Sequence, residues 1–168
     1  MDKHLLPAAL AVFFVFCTTA VVASTELLEV PPDLLAHGPN AQLRANDKTG
    51  SGYTKAVGDF DGDGEVDYAT LKLETAGGSR FLLVVALSGE GGKERVLKAG
   101  ENIQAMGINT VKPGSYKSAC SQGAGPAASN CTLAVNMAKD GVSLFTFESA
   151  ANLFYLEDGS FKEISLAD

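Results

Sequence analysis

Positive charge is scarce in this chain, and what there is lies scattered. Across 168 residues, 13 Lys and Arg stand against 20 Asp and Glu, for a formal net charge of -7. No basic patch forms. The composition therefore argues for no nucleic acid among the partners, because phosphate contacts need clustered Lys or Arg. It argues against tight attraction to an anionic membrane for the same reason. Histidine is scarcer still: apart from His4, near the start, there is only His37. No serine or cysteine motif accompanies His37, so it reads as a surface residue before the Gly38-Pro39 turn. Acid pairs for hydrolysis are also missing. A glycosidase sets two carboxyls across a substrate, and neither Glu148 nor Glu157 has a partner at a meaningful spacing. A hydrolytic enzyme, with no nucleophile or base to name, ranks last among the functional readings.

Cysteines are few, and each has a distinct setting. Cys17 lies in an apolar run, and Phe16 before it is too bulky for the position preceding a lipidated cysteine. Cys120 and Cys131 remain. In an exported chain, two such cysteines favour a disulfide. It would close the loop SQGAGPAASN and restrict the unfolded chain by about 2–4 kcal/mol. No further cysteine or histidine lies nearby to complete a metal site with the pair. Asn130-Cys131-Thr132 matches a glycosylation sequon, but a disulfide at its middle residue would hinder access.

The apolar run is LLPAALAVFFVFCTTAVVA, uncharged from Leu5 to Ala23. Its small-residue exit, Val21-Val22-Ala23, reads as a secretory signal cut after Ala23, with Ala20 as the neighbouring choice. A retained anchor is the alternative, since the run is just long enough to span a bilayer. The expectation is a signal peptide over 1–23 and a single calcium-binding β-rich domain over 24–168. That domain would be periplasmic or secreted, with no membrane attachment after signal removal.

The stretch DLLAHGPNAQL predicts a short N-terminal helix broken by Gly38-Pro39. From Tyr53 the pattern turns to period two. YTKAVGDF reads as a strand feeding an acidic loop. In DYATLKLE, Ala69, Leu71 and Leu73 share one face, and Tyr68, Thr70, Lys72 and Glu74 share the other. RFLLVVALSG reads as a central strand covered on both faces, and RVLKAG as a shorter one. Gly-rich turns join them into antiparallel hairpins. The stretch between Glu101 and Ala119 holds one more strand, with Pro113-Gly114 as a turn. After Lys139-Asp140-Gly141, Val142, Leu144 and Thr146 face opposite to Ser143, Phe145 and Phe147. NLFYLE and SFKEISLA form a final hairpin around Asp158-Gly159. Phe145, Phe147, Phe154, Tyr155 and Phe161 are expected in the core. A sugar-binding role for these rings is the competing reading.

The acidic loop, GDFDGDGEVDYA over residues 58–69, packs four aspartates and three glycines into twelve residues. Calcium prefers about six to eight oxygen ligands in a flexible shell. Asp59, Asp61 and Asp63, at the first, third and fifth positions, converge on one ion if the backbone curls. Gly62 and Gly64 permit that curl. Glu65 offers its backbone carbonyl, and Asp67 closes the shell. An EF-hand is excluded, because its twelfth position needs Glu and here holds Thr70.

DFDGDGEVDYA resembles the calcium-binding loop of FG-GAP/VCBS-type repeats, D-F-[ND]-G-D-G-x-x-D followed by two hydrophobic residues. The resemblance implies Asp59, Asp61, Asp63 and Asp67 as side-chain ligands, Glu65 as a carbonyl ligand and Phe60 as a packing residue. It covers residues 54–90. One motif cannot close a propeller, so the expected fold is mainly β, a small antiparallel domain with one propeller-blade-like portion. The leading functional expectation is an exported calcium-binding structural or interaction protein with an extracytoplasmic protein or glycan as partner. A small-ligand or glycan-binding protein is the alternative.

Overall fold

The computed structural model describes residues 27–122 and 132–166. The expected signal peptide and Cys131 lie outside these residues. Cys120 is disulfide-bonded. The fold is mainly β, with antiparallel sheets and two short helices.

The strand β1 (Leu28–Glu29) precedes α1 (Pro32–Ala36) and α2 (Ala41–Arg44). The two helices flank Gly38-Pro39, as the sequence predicts. Pro32 opens α1, where a missing N–H costs nothing. Four strands follow as a meander: β2 (Lys55–Gly58), β3 (Asp67–Leu73), β4 (Phe81–Ala86) and β5 (Glu94–Gly100). With β1 they make a five-stranded antiparallel sheet. β1 shares the β2 edge of β3, with Leu28 opposite Leu73 and Lys55 opposite Thr70. The predicted alternation holds in β3: Ala69, Leu71 and Leu73 are buried, and Tyr68 is exposed. Between β4 and β5 the register shifts at Leu83/Val84, leaving Leu97 as the extra residue of a bulge.

The chain continues through β6 (Met106–Val111), β7 (Gly114–Lys117), β8 (Ala134–Met137), β9 (Gly141–Thr146), β10 (Ala151–Glu157) and β11 (Ser160–Ser165). The second sheet has the order β11-β10-β9-β6. Its Ile108, Val142, Leu144 and Phe154 share one core with Leu71, Leu83 and Val85 of the first sheet. Asp158 and Gly159 both take positive φ in the β10–β11 turn, as a tight Asp-Gly hairpin requires.

The region after Gly100 corrects the sequence reading, which expects one strand there. The structure has β6 and β7, and β8 pairs with β7 in a separate ribbon. Val135 and Met137 of that ribbon pack with Leu153 on the face of the second sheet opposite Phe154. The second sheet is thus covered on both sides. That is why Gly141, Val142, Ser143 and Leu144 are all buried and do not alternate.

Candidate metal centre

The acidic loop connects β2 to β3. Because Gly58 pairs with Asp67 across that hairpin, the first and last aspartates of the loop start side by side. Phe60 is fully buried in the main core and pins the loop from below. Gly62 and Gly64 adopt φ of 78° and 88°, values that a side chain would strain. The chain thereby folds back, and carboxylate oxygens of Asp59, Asp61 and Asp67 come to lie within 4.8 Å of one another. This cluster can hold a metal ion.

Main-chain N–H groups hold the carboxylates in place. Asp59 accepts from Gly62 at 2.7 Å and from Gly64 at 3.1 Å. Asp61 accepts from Asp63 at 3.1 Å, and Asp63 from Glu65 at 2.7 Å. Asp67 is completely buried. Its Oδ2 accepts from Phe60 at 2.6 Å and Asp61 at 3.2 Å, and its Oδ1 from the Ser88 N–H at 2.7 Å. The Ser88 hydroxyl stands 2.9 Å from both Asp67 Oδ1 and Asp63 Oδ2, with one proton to share. Next to it, a Cβ on Gly89 would lie 2.9 Å from Asp61 Oδ2 and 3.2 Å from Asp63 Oδ2. The turn after β4 is therefore shaped to the loop.

The electrostatics are divided. Burial raises the Asp61 carboxyl above its usual range, and the charges of Asp67, Asp63 and Asp59 add to this against one N–H bond from Asp63. The Glu65 N–H, with help from the Ser88 hydroxyl, holds the Asp63 carboxyl below its usual range. Of the five residues expected at the site, the structure clusters the side chains of Asp59, Asp61 and Asp67. Asp63 sits beside them through Ser88. The Glu65 residue is exposed, and its N–H serves Asp63. Sequence reasoning missed Ser88 and Gly89, which lie more than twenty residues beyond Asp67 and carry no motif.

The aromatic residues do not form a common platform. Phe154 lies in the main core with Phe161 packed against it, whereas Tyr155 packs on the opposite face of the second sheet. Phe145 and Phe147 meet Tyr53 edge to face at 5.5 and 5.8 Å. A groove of about 810 Å³ lies along α1, α2, residues 49–52 and residues 54–55, and no aromatic side chain lines it.

A second charged centre, also missed by sequence reasoning, lies at the end of α2. Arg44 is buried. Its guanidinium donates to the carbonyls of Gly52 at 2.6 Å, Ile103 at 3.0 Å, Gln104 at 3.3 Å and Met106 at 2.5 Å. It also stacks 4.9 Å from the centre of the Phe147 ring. Burial lowers its pKa from the usual arginine value. Nearby, Asp47 gathers the N–H groups of Thr49 and Tyr53 and the hydroxyls of Thr49 and Ser51.

No protein-family model, curated protein or solved structure matches the chain.

Proposed function

We propose that this chain is an exported calcium-binding protein with a structural or interaction role. One observation carries the calcium reading: Asp59, Asp61 and Asp67, from a single hairpin connection, bring oxygens within 4.8 Å of one another. Oxygens bound at about 2.3–2.6 Å to one calcium ion stand at most about 5 Å apart, so the three fit one shell. Asp63, the Glu65 carbonyl and water supply the remaining places. Magnesium substitutes poorly, since it demands a tighter octahedron at about 2.0–2.1 Å. The uncharged run from Leu5 to Ala23 supports export to the periplasm or the exterior.

An interaction role is supported by the surface beside the loop. Val57, Val66 and Tyr68 are each more than half exposed, and Val57 pairs with Tyr68 across β2 and β3. Mostly aliphatic, this surface suits a protein partner better than a sugar. The placing of Phe154 and Tyr155 on opposite faces of the second sheet likewise speaks against the glycan reading.

Calorimetric melting in calcium and in excess chelator tests the ion. At free calcium one hundred times the dissociation constant, linkage adds about 2.7 kcal/mol. Asp59→Ala and Asp61→Ala should erase that gain. Glu65→Ala should keep it, because only the main chain of Glu65 is used. Equal melting temperatures in calcium and chelator would overturn the calcium reading.

A further inference from the structure

The acidic loop is gripped from the second sheet as well. Lys139-Asp140 forms the turn between β8 and β9. Asp140 is buried. Its Oδ2 accepts the Asp59 N–H at 3.2 Å, and its own N–H donates to the Asp59 carbonyl at 3.2 Å. The same Oδ2 lies 2.9 Å from Lys112 Nζ. A Cβ on Gly58 would come within 2.8 Å of Asp140 Oδ2, so glycine at position 58 gives that carboxylate its seat. The stem of Lys139 lies over the loop's turn, where a Cβ on Gly62 would stand 2.9 Å from Lys139 Cε. The dipeptide therefore touches both the entry to the loop and the bend that returns Asp61 towards Asp59.

This grip ends a longer seam. The Thr110 hydroxyl accepts from Val57 N–H at 3.1 Å and donates to the Val57 carbonyl at 2.8 Å. The Ile108 N–H donates to the Tyr53 carbonyl at 2.8 Å. The Thr110 and Asp140 side chains and two isolated main-chain bonds, in place of a strand ladder, thus join the β2 segment to the second sheet. With few links and no continuous ladder, such a join opens more readily than paired strands do.

We propose that Asp140 is a positioning residue for the cation loop. It fixes the backbone of Asp59, and with it the placing of that carboxylate against Asp61 and Asp67. Cation binding at the loop and closure of the seam are thereby coupled, each favouring the other by the same factor. The proposal rests on the calcium reading above.

Calcium titration calorimetry on the wild type, Asp140→Ala and Asp140→Asn, with amide hydrogen exchange in calcium and in chelator, tests it. Asp140→Ala should weaken calcium binding about tenfold, as expected when a charge-assisted hydrogen bond is lost. Asp140→Asn keeps an acceptor for the Asp59 N–H and should stay within about threefold of the wild type. In the wild type, calcium should slow exchange at the Val57, Asp59, Ile108 and Asp140 amides. A purely structural Asp140 would lower the melting temperature of its variants and leave calcium affinity unmoved. A folded Asp140→Ala protein that binds calcium like the wild type would overturn the proposal alone. Should that variant not fold, wild-type exchange decides, and seam amides indifferent to calcium would overturn it. A wild type that takes up no calcium would overturn the calcium reading and this inference together.

Discussion

Two charged centres in this protein are built in opposite ways. In the loop between β2 and β3, carboxylates are brought close together and steadied by main-chain N–H groups. Beside α2, one guanidinium is buried and met by four main-chain carbonyls and the face of Phe147. The first arrangement leaves like charges facing each other. The second leaves none, since carbonyl dipoles and the negative face of an aromatic ring suit a cation. Arg44 is satisfied by its own chain and fastens the N-terminal helices to the segment between β5 and β6. Burial and the neighbouring aspartates raise the Asp61 carboxyl, and the cluster could hold a metal ion. Burying charge is tolerable only where compensation is complete, and Arg44 finds that compensation inside the chain.

Asp67 is where the comparison breaks most easily. Though it belongs to the anionic cluster, it is fully buried and receives Phe60, Asp61 and both donors of Ser88. Asp67→Ala strands these donors and should cost about 3 kcal/mol or more, even in chelator. Urea unfolding measures this, and a loss under about 1 kcal/mol would show that the loop is held by something else.

A somewhat smaller effect should come from Arg44→Met, which keeps most of the buried stem but frees four carbonyls. A loss of about 2–3 kcal/mol is expected, equal with and without calcium. Arg44→Lys should restore little of it, because an ammonium cannot reproduce the planar fork. Full rescue by lysine in the same unfolding experiment would contradict the account of this centre.

The smallest effect sharpens the contrast by pH. Burial alone would raise the Asp47 carboxyl. It is outweighed by the Tyr53 N–H, the Thr49 hydroxyl and N–H, and the Ser51 hydroxyl, so the group titrates well below the usual range. A carboxyl depressed in the folded state stabilises above its unfolded pKa of about 3.9. That stability fades as pH falls from there towards the folded value. Asp47→Ala should therefore cost about 1 kcal/mol at neutral pH, a figure kept low because solvent reaches the site. The gap from wild type should close in melting curves taken below the ordinary carboxylate range. A gap that stays constant into acid would rule out the titration of Asp47 as its source.

The acidic loop could be read from the chain because its bonds are local. Its internal hydrogen bonds span two to seven residues, so the spacing of aspartate and glycine already carries the geometry. The alternation of β3 and the Asp-Gly hairpin were legible for the same reason: one covered face or one turn fixes the pattern. The β7–β8 ribbon was not, since four-residue strands carry little signal until a partner surface is known. Nor were Ser88, Asp140 or Arg44 marked by any motif. Ser88 reaches Asp67 across 21 residues, Asp140 reaches Asp59 across 81, and Arg44 reaches Met106 across 62. By itself, then, the sequence determined that this chain would form antiparallel strands around a concentrated set of carboxylates, because side-chain period and glycine conformation act over a few residues. Only the tertiary structure decided which distant residues hold that set in place and which buried charge needs no ligand, because compensation of charge depends on what the folded backbone brings within hydrogen-bond reach.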